Sequence, residues 1–268
     1  MFDDSESISD ADLVREQYSD HRRLAARQAL WRLEPGPPLV DTVLRTAAVQ
    51  DTETILDIGC GNGALLAALR ARGHAGTLIG VDLSAGMART AATHAPVAIA
   101  DVQALPVRSA SVDVAMSLHV LYHVPDLDRA AAELRRVVKP GGRAMIATNG
   151  AGHTSELKQV LATAADRVAG VRRDPDREVR RFDTLRARDL FGTVFDAVAV
   201  IDAGRSFAVH DPDVVGDYLA SWSPRSVGMR AGPAWDAVVA EARALIRTQV
   251  SDHGAFMVTS RAAILRCT

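Results

Sequence analysis

The sequence predicts an α/β fold: a mostly parallel sheet with helices on both faces. Three observations predict it. Short apolar runs alternate with helix-length segments between residues 54 and 148. Glycine, proline and aspartate punctuate the joins, as in strand–helix–strand units. The first apolar run opens into a glycine-rich loop that leads directly into a helix.

The elements follow in order. Residues 1–9 are acidic and Ser-rich and read as a frayed tail. Residues 10–31 lack Pro and Gly and read as a helix, broken by Pro35-Gly36-Pro37-Pro38. A second helix is expected over 39–49. Strands are expected at 54–58, 77–81, 97–100, 112–118 and 143–148. Between them lie a helix over 64–71 stopped by Gly73, one from Ser84 to about 94, and one capped by Asp126 that runs to 138. Pro140-Gly141-Gly142 is read as a turn. Beyond Gly150 the alternation loosens. Helices are expected at 155–168, 184–191, 212–221 and 234–250, and strands at 194–201 and 262–267. This gives an N-terminal helical cap over 1–49, a binding core over 50–150, and over 151–268 the end of the sheet with an inserted helical cap, all in one structural domain.

Bulk properties narrow the function. The chain has 268 residues, 48% of them apolar, with a net charge of −2, so it can bury a large core without staples. No apolar run approaches the roughly 20 residues of a membrane span. The first ten residues carry four acidic and no basic side chains, unlike a secretory leader. Cys60 and Cys267 are the only cysteines, so no disulfide framework is implied and a cytoplasmic setting is expected.

The chemistry starts at Asp57-Ile58-Gly59-Cys60-Gly61-Asn62-Gly63. Glycine permits a sharp turn and a close ligand approach there. Gly59-x-Gly61-x-x-Ala64, with Asp82 eighteen residues beyond Ala64, also satisfies the dinucleotide fingerprint formally. Asp57 separates the two ligand classes. It ends the first strand, where a dinucleotide would bring its pyrophosphate, and two like charges repel in a partly dry cleft. S-adenosylmethionine has no phosphate; its sulfonium and ammonium are favoured by a carboxylate. There is also no Tyr-x-x-x-Lys, because neither Lys139 nor Lys158 follows a tyrosine at that spacing.

Asp82 ends the second strand, where a carboxylate can accept from both ribose hydroxyls. Its alternative is a loop or cap aspartate. Leu83 and Met87 can flank an adenine, or pack helix on sheet. Asp101 can accept from the adenine amino group while the Val102 N–H donates to the ring, or the pair can form an ordinary loop turn. Cys60 and Ser117 complete the expected cofactor set, with Tyr18 from the N-terminal helix, one turn from Arg22. The alternative for those two is a solvated helix face.

Taken together, Ile55-Leu56-Asp57-Ile58-Gly59-Cys60-Gly61-Asn62-Gly63, Gly80-Val81-Asp82-Leu83-Ser84-Ala85-Gly86-Met87 and Ala100-Asp101-Val102-Gln103-Ala104-Leu105-Pro106 resemble successive motifs of the class I S-adenosylmethionine-dependent methyltransferases. Ser111-Val112-Asp113-Val114 and Leu134-Arg135-Arg136-Val137-Val138-Lys139-Pro140-Gly141-Gly142 extend the match. The resemblance covers about residues 50–150 and is nearest the small-molecule branch related to the ubiquinone and menaquinone methyltransferases. It implies a Rossmann-like seven-stranded sheet whose last strand, 262–267, is antiparallel. It also implies S-adenosyl-L-methionine as cofactor, with S-adenosyl-L-homocysteine as product.

Methyl transfer is an in-line displacement, so the protein must align the acceptor and, for a hydroxyl, remove a proton. His119 and His123 follow the fourth strand and are the base candidates; a near-neutral pKa would suit that role. Their alternative is a structural histidine bonded to backbone. A metal reading of His-x-x-x-His lacks a third ligand. Arg172, Arg173, Arg177, Arg180, Arg181, Arg186 and Arg188 form a basic run, interleaved with Asp174, Asp176, Glu178 and Asp183. With a pI near 6.4 and no Asp/Asn-Pro-Pro-Tyr after the fourth strand, nucleic acid is not the expected substrate. The expected partner is a small-molecule acceptor, with oxygen favoured over nitrogen or carbon. A cofactor-binding protein without methyl transfer and a nicotinamide oxidoreductase are the alternatives. Monomer and homodimer stay open.

Overall fold

A computed structural model of the chain describes residues 21–172 and 182–268. Its centre is a seven-stranded sheet. The strands are β1 (Ile55–Ile58), β2 (Leu78–Asp82), β3 (Val97–Ile99), β4 (Val112–Leu118), β5 (Val138–Asn149), β6 (Val198–Asp202) and, after a separate antiparallel pair, β9 (Ala262–Cys267). Their spatial order is β3-β2-β1-β4-β5-β9-β6. β1 through β5 pair in parallel, and β9 runs antiparallel between β5 and β6. The seven strands and the antiparallel last strand are those the resemblance implies.

The central strands are buried on both sides, as parallel strands under helices must be. Alternate residues serve the two faces. Leu56, Ile58, Ala115, Ile146 and Leu265 pack with Leu134 and Val137 of α5 (Leu127–Val137) and Phe191 of α7 (Thr184–Phe191). Ile55, Val114, Met116, Met145 and Ile264 pack with Val43 and Leu44 of α2 (Leu39–Ala47) and Leu65, Leu66 and Leu69 of α3 (Ala64–Ala71). Ala91 of α4 (Ala85–Ala91) joins that second face. The caps read from sequence form. Ser84 Oγ accepts from Met87 N at 3.4 Å, and Asp126 Oδ1 accepts from Arg129 N at 2.9 Å.

A separate apolar core lies over the carboxyl end of the sheet. It joins α1 (His21–Trp31), α6 (Ser155–Ala169), α8 (Pro212–Ala220), α9 (Pro233–His253) and the antiparallel pair β7 (Ser206–Val209) and β8 (Phe256–Thr259). Leu30, Leu161, Phe207, Val215, Trp235, Ile246 and Phe256 are among its buried members.

Three expectations need correction. The turn at 140–142 lies inside β5: Val112 pairs with Val138 and Val114 with Arg143, so residues 139–142 bulge out opposite Asp113. Lys139 Nζ holds both Asp113 oxygens at 2.9 Å, which anchors the bulge. The strand expected at 194–201 starts at Val198, because Val194 and Phe195 close the end of α7 through bonds to Phe191 O. The antiparallel β7–β8 pair is not anticipated by the sequence. Each strand has four residues and its partner lies some fifty residues away, so neither shows a sustained period. The first half of the helix expected over 10–31, with Tyr18, lies outside the described residues, as do Arg173, Arg177, Arg180 and Arg181 of the basic run.

Candidate active site

Two cavities meet at the carboxyl ends of β1 and β4. The first, of about 360 Å3, is lined by the glycine loop, the ends of β2 and β3, and the loop after β4. The second, of about 900 Å3, lies under α1 and the cap. Val40, His119, Tyr122 and His123 line both.

The first cavity is built by backbone geometry. Gly59, with φ at +69°, turns the chain off β1, and its N–H and that of Cys60 bond Val81 O. A Cβ on Gly59 would lie 2.3 Å from Val120 Cγ2. So the loop after β1 and the loop after β4 touch with no room for a side chain. Gly63 caps α3 at φ +81°, where a Cβ would meet Ala91 Cα at 2.9 Å.

Asp82 holds this loop in place. Its Oδ2 accepts from Gly61 N and its Oδ1 from Ser84 N, each at 2.8 Å. Burial raises its pKa despite those two donors. Asp57 is 3% exposed, and its Oδ2 has no hydrogen-bond partner. Burial first, and the Asp82 charge second, push it up to about 7. The Asp57 carboxyl is therefore partly protonated at neutral pH, which weakens a purely repulsive argument against a pyrophosphate. The attractive half is strengthened: an orphaned buried carboxyl gains most from a cation. The residues present fit S-adenosylmethionine in this respect.

The other predicted residues divide. Leu83, Met87, Val102 and Asp101 line the same cavity. The Asp101 carboxylate already accepts from Gln103 N and Gln103 Nε2, each at 2.9 Å. It thus caps the short turn Val102–Ala104, and Val102 lines the cavity. Cys60 lines the cavity too, but burial lifts its thiol to about 12, so it acts as a small apolar wall. Ser117 is fully buried within β4 and does not line either cavity.

His119 and His123 sit where the cavities join. His119 adopts φ +59°, a conformation uncommon for a non-glycine residue, and its N–H donates to Ala147 O at 2.9 Å. The bend turns its ring toward Tyr122, 6.4 Å between centroids. His123 packs edge-on against Tyr122 at 4.4 Å. Burial lowers both histidines to about 4, so the near-neutral pKa expected from sequence is not found, and both rings are neutral at pH 7. No group of three or more metal-ligating side chains occurs among the described residues.

The second cavity brings in residues that sequence reasoning missed. His153 stacks on Trp31 at 5.4 Å and 20°. Its Nδ1 accepts from Arg261 N at 3.1 Å, so Nε2 carries the proton. Asn149, at the end of β5, lines this cavity, and its Oδ1 is buried without a hydrogen-bond partner. Asn149 ends its strand as Asp82 ends β2, and Asp57 stands one residue before the end of β1; that position is the available signal. The signal for His153 lay only in tertiary contacts.

This sheet order, glycine cradle and strand-end carboxylate pair define a class I α/β nucleoside-binding fold. Residues 56–146 match the family described as a methyltransferase domain. Over 166 residues the chain is 35% identical to a malonyl-[acyl-carrier protein] O-methyltransferase of Geobacter sulfurreducens, covering 60% of this chain and 61% of that protein. The fold is similar to that of a putative methyltransferase from an antibiotic biosynthesis pathway of Anabaena variabilis, at TM-score 0.65 and 16% identity. That match covers 89% of this chain and 99% of the other. It is also similar to a Haemonchus contortus phosphoethanolamine N-methyltransferase 2 in complex with S-adenosylhomocysteine, at TM-score 0.59 and 18% identity, over all of this chain and 61% of that one. The chain spans between 22% and 61% of the length of the curated relatives it matches.

Proposed function

We propose that the chain transfers the methyl group of S-adenosylmethionine to an oxygen of a small molecule held in the larger cavity. The observation that carries this is the meeting of the two cavities at His119, Tyr122 and His123. One cavity suits a nucleoside donor and the other, at about 900 Å3, suits a small-molecule acceptor. When bound, the cofactor supplies an electrophilic methyl carbon on its sulfonium.

The chain's residues supply binding, alignment and dryness. Asp57 receives the cationic end of the donor, Asp82 its ribose, Leu83 and Met87 its ring, and the Val102 N–H the ring edge. The acceptor lies between the loop after β4 and the cap, where α1 and residues 35–38 exclude water. His119 and His123 are neutral, so either can accept a hydrogen bond from an acceptor hydroxyl and orient its oxygen. Their low basicity favours an acceptor that ionises readily. The helical segments 21–49 and 150–253 shape the acceptor site, in one structural unit with the sheet. The relative's printed activity, O-methylation of a carrier-bound malonyl group, supports oxygen as the acceptor atom.

Calorimetry with S-adenosylhomocysteine tests the donor half; no heat of binding at millimolar ligand refutes it. Incubation with S-adenosylmethionine and panels of phenols, acids and amines, read by mass for the gain of one methyl group, tests the transfer.

A further inference from the structure

We propose that the acceptor carries a carbonyl group, whose oxygen is held by the Nε2–H of His153 and the side-chain amide of Asn149. The proposal rests on the methyl-transfer reading above and names the substrate class for it. Both residues line the larger cavity, and one short stretch of chain pins them both.

Asn149, the last residue of β5, pairs with Ala262 of β9. Directly after it, Gly150 N donates to Arg261 O at 2.7 Å, and His153 N closes the turn onto Gly150 O at 3.2 Å. Arg261 N in turn donates to His153 Nδ1 at 3.1 Å. Residues 261 and 262 therefore fix the backbone of Asn149 and the ring of His153 at the same end of the sheet. Trp31 stacks on that ring at 5.4 Å and 20°, which holds its plane.

The bond at Nδ1 decides what the ring does. A neutral imidazole that accepts at one nitrogen donates at the other. Burial above all lowers the His153 pKa to about 3, so the ring is neutral at pH 7 and serves as a donor, not as a base. Its Nε2–H has no acceptor among the described residues, on a ring that lines the cavity. Asn149 adds to this. Its Oδ1 is buried without a partner, so the amide nitrogen is the end of the side chain left to a ligand. Two uncharged donors thus stand on one stretch of wall. A carbonyl oxygen, with two lone pairs and no proton, satisfies both.

A carbonyl also meets the second demand of the site. The neutral, weakly basic rings of His119 and His123 suit a hydroxyl that ionises readily. Conjugation with a carbonyl makes a hydroxyl ionise more readily, and N–H donors on the carbonyl oxygen favour the charge that spreads onto it. His153 lies close enough to His119 for their charges to interact, so the carbonyl site adjoins the junction of the two cavities.

The test is calorimetry on the full chain saturated with S-adenosylhomocysteine, titrated with 4-hydroxyacetophenone and with 4-ethylphenol. The two phenols differ only in the carbonyl oxygen, which two hydrogens replace. The ketone is expected to bind about tenfold more tightly. His153→Phe keeps a ring on Trp31 and removes the Nε2–H. Asn149→Leu keeps the shape of the side chain and removes the amide. Each is expected to bring the ratio of the two affinities down to about threefold or less. The ratio is read within one variant, so a general loss of affinity from loosened packing leaves it unchanged. Should His153→Phe not fold, Asn149→Leu carries the test alone. Equal affinities in the parent overturn the proposal, as does the absence of binding by either probe. So does a ratio that survives both changes. If S-adenosylhomocysteine itself does not bind, the methyl-transfer reading falls with this one. If it binds and the ketone has no advantage, only this one does.

Discussion

A Cβ placed on Gly59 would stand 2.3 Å from Cγ2 of Val120. That contact joins the turn after β1 to the turn after β4, the two loops that frame the donor cavity. Gly59→Ala must therefore push the β4 loop outward, and it also strains a φ of +69°. The expected result is a loss of about 2 kcal/mol or more of stability, with S-adenosylhomocysteine binding abolished. Gly61→Ala is the control. It shares the positive φ, but nothing lies within 4 Å of its added carbon. It should cost about 1 kcal/mol by strain alone. Urea unfolding and calorimetry on both variants check the ordering.

Asp57 should trade stability for binding. Its folded pKa is raised to about 7, well above the ordinary carboxylate range, so its contribution is intact below pH 4 and is lost as pH rises through 7. Asp57→Asn removes that loss. The variant should be at least as stable as the parent at pH 7 and should bind S-adenosylhomocysteine about tenfold or more weakly, because a carboxylate–ammonium bond is gone. A variant that binds normally would remove Asp57 from the donor site.

Three buried histidines set the acid limit. Burial holds His119 and His123 at about 4 and His153 at about 3, all below the ordinary imidazole value of about 6.5. The unfolded chain therefore takes up protons that the fold refuses. Stability is present above pH 6.5 and is lost as pH falls through 6.5 toward 4. Each ring contributes up to about 1.4 kcal/mol per pH unit across that window. Asp57 acts in the opposite direction but is one group against three. Urea unfolding between pH 4 and 7 should show the slope, and His153→Gln should flatten it.

The roles of His119 and His123 separate by turnover. If either accepts or orients the acceptor proton, its alanine variant should lose activity by about 100-fold with S-adenosylhomocysteine affinity retained. If turnover survives both changes within a few-fold, neither ring takes part in proton handling.

Arg143 locks the back of the sheet to α2. It is 8% exposed and grips Glu53 through two parallel bonds of 2.8 Å. It also donates to the Ala47 carbonyl and, at 3.2 Å, to Ala48 O. Glu53→Gln leaves a buried guanidinium short of a counter-charge and should cost about 3 kcal/mol. The loss should show in thermal melts, far from the cavities and without a change in donor affinity once folded.

The sequence by itself determined the sheet core and the donor cradle. Helices α3 and α7 and strands β4 and β9 have the bounds read from their residues. The reason is local: an apolar run, a glycine at a positive φ and a capping aspartate each act within a few residues of the chain. Asp57 and Asp82 were legible because strand ends in a parallel sheet face one crevice. The bulge at 139–142 was not, because Lys139 reaches Asp113 across the sheet. The β7–β8 pair, the stacking of Trp31 on His153 and the larger cavity depend on contacts between segments more than a hundred residues apart or on strands too short to show a period. Burial also decided the histidines. Their positions were in the sequence, but the desolvation that makes them neutral at pH 7 exists only once α1 and the cap have closed over the end of the sheet.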